Sequence, residues 1–263
     1  MKTRIITGVV AAALFIPFVV IGGLPWTLLV YALAAVALYE LLNMKNMSIF
    51  SAPGVIGTLA LFVLLLPVDW AQQVEEWTSY TKLELVFLLA LLLLIYTVLM
   101  KNDFTFDDVG FIVISVIYVG LGFYYFIVAR EEGLVYLIFA LAVVWMTDSG
   151  AYFTGRKLGK RKLWPEISPN KTVEGFFGGI VFAIVAAVIM ELIYPFAPSW
   201  PMLIGVAIIC SMFGQMGDLV ESAIKRQYGV KDSGNLLPGH GGILDRFDSL
   251  LFVLPLLHFL HFM

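Results

Sequence analysis

Cysteine occurs once, as Cys210 inside an apolar run, so no intrachain disulfide can form and the redox compartment cannot be read from thiol chemistry. A small buried side chain is the role that position suits. Charge is also scarce, with Asp, Glu, Lys and Arg making up 13% of the chain at a formal net charge of −3, and no basic excess points to nucleic acid. Apolar residues do not alternate with polar ones at period two, which excludes a barrel of the outer-membrane type. No low-complexity linker, soluble domain or short-period repeat interrupts the chain. What remains is 61% hydrophobic, with a mean hydropathy of +0.95 and apolar runs long enough to cross about 30 Å of hydrocarbon. The expected class is therefore all-α, a polytopic integral membrane protein.

Nine apolar segments are expected to be helical, at about 5–23, 25–43, 54–72, 83–100, 109–128, 132–154, 173–195, 201–221 and 246–263. Turn signals such as Ser51-Ala52-Pro53-Gly54 and Pro195 to Pro201 separate them. The basic start Met1-Lys2-Thr3-Arg4 resembles a signal peptide, but the run after it is long and no cleavage site leads into a polar region, so it reads as a retained first helix. With the N-terminus cytoplasmic, fourteen of the sixteen bases fall on the cytoplasmic side, from Lys2 and Arg4 through Lys45, Lys101, the bases of 156–171 and those of 225–246. Only Lys82 and Arg130 fall outside, in accord with the positive-inside rule. The expectation is one transmembrane domain over 1–263, with 1–128 a lipid-facing helical scaffold and 129–263 the catalytic helices and cytoplasmic loops.

Against this apolar background, residues 217–248 carry five acids, four bases and a histidine. Asp218, Glu221, Ser222 and Lys225 are spaced i, i+3, i+4, i+7 and share one face of a helix. A salt-bridged helix end, Glu221 to Lys225, is the plain structural alternative. A carboxylate at the depth of Asp218 is costly, however, unless it is paired or binds a cation. Asp245-Arg246-Phe247-Asp248 opens the last segment with two carboxylates on one face, hard oxygen ligands suited to magnesium. Helix capping is the alternative for them. Capping does not account for Pro238-Gly239-His240-Gly241-Gly242 just before, where glycines would let backbone N–H groups approach an anion. Asp218, Asp245 and Asp248 form a candidate metal clamp.

Upstream, Asp148 lies within the sixth segment with Tyr152 one turn further on. The bases of 156–162 and Lys171, at the start of the seventh helix, form an anion-attracting arrangement. Topology and anionic headgroups alone account for most of 156–162, which leaves Lys171 as the better phosphate ligand. Gly155 to Lys160 lacks the spacing of a phosphate loop, and the sequon at Asn170 is expected in the cytoplasm. His258 and His261 read as interfacial. Glu40 has no assigned role.

Ser222, Lys225, Arg226, Lys231, Asp232, Pro238 through Gly242, and Asp245-Arg246-Phe247-Asp248 resemble the signature of the CDP-diacylglycerol synthase family, also called phosphatidate cytidylyltransferase. Asp148, Ala151, Tyr152, Gly155 and Ser168 through Gly175 look like the family too, though many members carry another lysine or an aromatic residue where Asn170 and Val173 stand. The resemblance covers roughly 145–250. It implies transfer of CMP from CTP to phosphatidate, giving CDP-diacylglycerol and pyrophosphate, at a bacterial-type inner membrane with the site facing the cytoplasm. It further implies Asp218, Asp245 and Asp248 on a magnesium centre that a second monovalent or divalent cation shares. Lys225 would act with them in catalysis, and Ser222, Lys171, Arg226, His240, Gly241, Arg246 and Asp148 would bind substrate. CTP, phosphatidate and membrane phospholipids are the partners, and a homodimer is one assembly the sequence allows. Two other readings compete: a CTP-dependent lipid kinase, which would release CDP, and an anion transporter, whose site would be expected near the midplane between two repeated halves.

Overall fold

In the computed structural model the described residues are 2–263, with side chains described from Ile6 onward, so Lys2 and Arg4 of the charge count lie outside the described side chains. The helices are α1 (Lys2–Ile21), α2 (Gly23–Met44), α3 (Ala52–Leu64), α4 (Val68–Thr78), α5 (Lys82–Leu99), α6 (Phe106–Glu132), α7 (Leu134–Leu158), α8 (Val173–Ile193), α9 (Trp200–Gln227), α10 (Leu244–Phe247) and α11 (Leu250–Phe259). Two short strands, β1 (Lys162–Trp164) and β2 (Ser168–Thr172), intervene between α7 and α8. Local chemistry sets several of the starts. Thr81 and Glu84 form a reciprocal capping box at α5, while Ser51, Thr172 and Ser199 each accept a hydrogen bond from the third residue beyond them.

This is a multi-pass helical membrane protein. Among the described residues six helices are long and apolar enough to cross a bilayer, and a seventh if α3 and α4 count as one bent span. Length and composition thus support six or seven of the nine expected spans, since the apolar parts of α1 and α11 are shorter. The expected third span, 54–72, ends at Leu64, and α4 leaves at 114° to α3. Pro67 cannot donate to a continuing helix, and the polar Asp69, Gln72, Gln73, Glu75 and Glu76 on α4 favour an interfacial position over the hydrocarbon. The expected ninth span is likewise divided, into α10 and α11.

The chain forms two compact units, 1–128 with 233–244, and 129–232 with 245–263. In the first, Trp26, Leu38, Leu61, Ile112, Phe123 and Phe126 are buried, and the Trp26 indole N–H donates to the Phe126 carbonyl at 3.1 Å, so the aromatic core leaves that donor satisfied. Lys45 and Asp108 form an ion pair at 2.5 Å.

In the second unit α7 packs along α8 through small residues, the usual device where lipid offers no hydrophobic drive for helix association. A Cβ on Gly150 would lie 2.6 Å from the Phe182 Cβ and 2.9 Å from the Gly178 carbonyl oxygen. Gly150→Ala is accordingly expected to lower the thermal midpoint in detergent, by an overpacking cost of about 1–3 kcal/mol. A variant melting with the wild type would mean that α7 and α8 do not depend on this approach. Residues 162–172, within the stretch expected as a cytoplasmic loop between the sixth and seventh helices, form the β1–β2 hairpin, with Lys162 opposite Thr172 and Trp164 opposite Ser168. Pro169 is tolerated there because a two-stranded ribbon consists only of edges.

Candidate active site

The polar residues of the second unit gather where α7, α8 and α9 meet the α10–α11 junction. Helix α9 runs unbroken to Gln227, so Asp218, Glu221, Ser222 and Lys225 share a helical face as their spacing predicts. Gly217 permits the junction's close approach, because a Cβ there would lie 2.7 Å from the Asp248 carbonyl oxygen and 3.1 Å from the Ser249 Cα.

Two lysines organise the carboxylates. The Lys171 ammonium, carried on β2, pairs with Asp218 at 2.7 Å and donates to the Gln215 carbonyl at 3.3 Å. The Ser222 hydroxyl donates to the other Asp218 oxygen at 3.3 Å. Lys225 lies between two acids, ion-paired with Glu221 one turn back and with Asp245 at 2.6 Å. Asp248 accepts from the backbone N–H of Ser249 at 2.6 Å. Asp148, on α7, lies within electrostatic range of Asp218, Lys171 and Arg246, and Asp248 within range of Asp218, Asp148 and Lys225. Acids and bases thus alternate through the cluster.

A cavity of about 520 Å³ opens beside it, with Asp148, Lys171 and Asp218 in its wall together with Tyr152, Arg156 and Lys160. The Arg156 guanidinium donates to the Tyr152 hydroxyl at 3.2 Å. Glu174, in the first turn of α8, accepts from the backbone N–H groups of Lys160 and Arg161 at 3.0 and 3.3 Å, which ties down the basic segment at the cavity rim. The volume suits a ligand of nucleotide or headgroup size, and its wall presents cations and hard oxygen donors together.

Not every expected residue joins this arrangement. The exposed Arg226 is turned to backbone, donating to the Ile167 and Val230 carbonyls at 3.3 and 3.4 Å. Arg246 is exposed. His240 and Gly241 belong to the first unit, in a turn where the Leu237 N–H donates to the Gly241 carbonyl at 3.0 Å and the His240 N–H to the Leu237 carbonyl at 2.8 Å. Among the described residues no three His, Cys, Asp or Glu side chains are drawn together as an ion-holding group. Asp218 and Asp245 are engaged by ammonium groups.

Residues the sequence did not single out support the site. The Gln215 amide donates to the Phe176 carbonyl at 3.2 Å, and Thr147 donates to Ser211 at 2.9 Å in the buried α7–α9 interface. Gln215 had a legible signal, a polar side chain in an apolar run three residues before Asp218 and so on its face.

The whole chain, residues 2–263, matches the model of the cytidylyltransferase family. It is 56% identical over 263 residues to the phosphatidate cytidylyltransferase of Bacillus subtilis strain 168, covering 99% of this chain and 97% of that protein. It is 51% identical over 260 residues to the Staphylococcus epidermidis protein of the same name, and 47% identical over 260 residues to that of Staphylococcus aureus strain COL, in each case across 99% of this chain and 98% of the relative. The full-length match agrees with the acid–base cluster built from α7, β2, α9 and the α10–α11 junction: this chain belongs to the cytidylyltransferase family.

Proposed function

We propose that this protein transfers CMP from CTP to phosphatidate, forming CDP-diacylglycerol and pyrophosphate. The observation that carries the reading is the cavity whose wall sets Lys171, Arg156 and Lys160 beside Asp148 and Asp218. An oxygen of the lipid phosphate attacks the α-phosphorus of CTP, the α–β phosphoanhydride bond breaks, and pyrophosphate leaves. The nucleophile is already an anion, so no strong general base is needed. What the protein must supply is alignment and charge neutralisation.

In this proposal Lys171, Lys225 and Ser222 hold phosphate oxygens, and the resemblance extends that role to Arg226, Arg246, His240 and Gly241. Asp148, Asp218 and Asp248 are hard oxygen donors in mutual electrostatic range, the donor chemistry a divalent cation takes, and they would have to draw closer together to hold one. Asp218, Asp245 and Asp248 would hold magnesium, with a second cation sharing the centre, and the ion would neutralise charge on the transferring phosphoryl group. The Lys171 ammonium would exchange its Asp218 partner for substrate phosphate. The positive-inside distribution supports a cytoplasmic site on a bacterial inner membrane.

The test uses purified protein in detergent with phosphatidate, labelled CTP and magnesium. The expected products are a CDP-lipid and one pyrophosphate per lipid, lost on chelation and regained with magnesium. CDP released together with phosphorylation of an added lipid alcohol would replace this reading with a lipid kinase.

A further inference from the structure

Glu40 lies near the C-terminal end of α2, where the residue is 2% exposed. One carboxylate oxygen accepts from the Ile243 N–H at 2.8 Å, and the other from the Leu244 N–H at 2.8 Å and the Ser233 hydroxyl at 3.1 Å. All four residues belong to the first unit. Leu244 is the first residue of α10, so its N–H is one of the donors that a helix cannot satisfy internally. Glu40 therefore acts as a cap supplied from a distant part of the chain.

Two glycines of the same loop are shaped by that carboxylate. A Cβ on Gly234 would lie 2.5 Å from a Glu40 carboxylate oxygen, and a Cβ on Gly242 would meet both that oxygen and the Ser233 hydroxyl. Gly239 and Gly241 serve a different need, adopting φ values of +79° and +85° that close the turn. The glycines around His240 thus divide into a pair that makes the turn and a pair that clears space for Glu40.

We infer that Glu40 is a positioning residue for cytidylyl transfer. It fixes the chain from Ser233 to Leu244, and with it the starting point of Asp245, the next residue. The inference rests on the proposed reaction, in which Asp245 contributes to the charged centre. Ser233, Gly234, Gly242, Ile243 and Leu244 all converge on one carboxylate, more than burial of an incidental acid would need.

The test compares wild type, Glu40→Gln and Gly242→Ala as full-length proteins, by steady-state kinetics and by hydrogen–deuterium exchange. The amide of Glu40→Gln offers a single acceptor oxygen to donors that now meet both carboxylate oxygens. Gly242→Ala keeps the acid but drives a methyl group into its place, and so tests the same contact if Glu40→Gln does not fold. The expected result is a kcat lowered about 100-fold with KM for CTP within roughly threefold, and faster exchange confined to residues 233–244. The double variant should be little worse than either single one, because both remove the same interaction. Wild-type turnover together with wild-type exchange at Ile243 and Leu244 in the folded variants would overturn the inference. So would exchange accelerated uniformly along the chain, with kcat per folded molecule unchanged, which marks a merely structural acid. Failure of the wild type to form a CDP-lipid would instead sink the proposed reaction, while the exchange data would still decide whether Glu40 holds the loop.

Discussion

Asp218→Asn is expected to lower cytidylyl transfer by roughly a thousandfold, the upper range for removing one preorganised electrostatic group from a phosphoryl or acyl transfer site. The substitution conserves shape and removes one negative charge. Lys171 would keep the Gln215 carbonyl but lose its carboxylate partner, and Ser222 would lose a charged acceptor. The Asp218 and Lys171 side chains are 35% and 23% exposed, so their pair contributes at most about 1 kcal/mol to folding. The variant should therefore insert, purify and melt close to the wild type, which separates the catalytic loss from a folding defect. The check is turnover per folded molecule, with the melting midpoint beside it. Wild-type rates would remove Asp218 from the reacting centre.

Lys225 is expected to behave in the opposite way, through stability first. Its side chain is 11% exposed and lies between those of Glu221 at 1% and Asp245 at 5%, so one largely buried cation faces two buried acids. Lys225→Met would preserve most of the side-chain volume and leave both carboxylates without that cation. Breaking a buried pair by removing one partner costs about 3–5 kcal/mol, which should appear as a large drop in thermal midpoint or as loss of folded protein. Glu221→Gln changes the same cluster with the other sign, leaving one cation with one anion, and should melt above Lys225→Met. The order of midpoints is the measurement. Lys225→Met melting level with Glu221→Gln would mean that the ammonium does not hold the two acids together.

The two experiments separate what the sequence made legible from what it did not. Continuous apolar runs located α2, α5 and α8 to within about two residues of their ends, since a bilayer imposes a length that hydropathy reports directly, whereas α9 runs on to Gln227, past the expected end at 221, because its polar last turns leave the apolar window. The same averaging concealed the break after Leu64, because a window that spans Pro67 and Asp69 still sums to an apolar mean. The β1–β2 hairpin was hidden for another reason: its strands are three and five residues long and carry no period-two alternation.

Within the site, the shared face of Asp218, Ser222 and Lys225 followed from the helical repeat alone. Which acid takes which lysine did not. Lys171 and Asp218 meet because β2 and α9 converge, and Asp245 returns to Lys225 from beyond an excursion of the chain through the first unit. Glu40 was the extreme case. A single acid near the end of an apolar helix has no periodic signature, and its backbone donors lie 203 and 204 residues further along the chain.

That separation also has a consequence for biosynthesis. A ribosome adding about 5–20 residues per second needs roughly ten to forty seconds to travel from Glu40 to Ile243, and throughout that interval the nascent α2 carries an acid whose backbone donors have not been made. The amino-terminal unit is thus among the last parts of the protein to be completed, although nearly all of it is translated first. A chain that stops short of residue 243 therefore lacks the two backbone N–H donors that meet Glu40 in the finished protein, and burying that carboxylate without them carries a desolvation cost that the complete chain avoids.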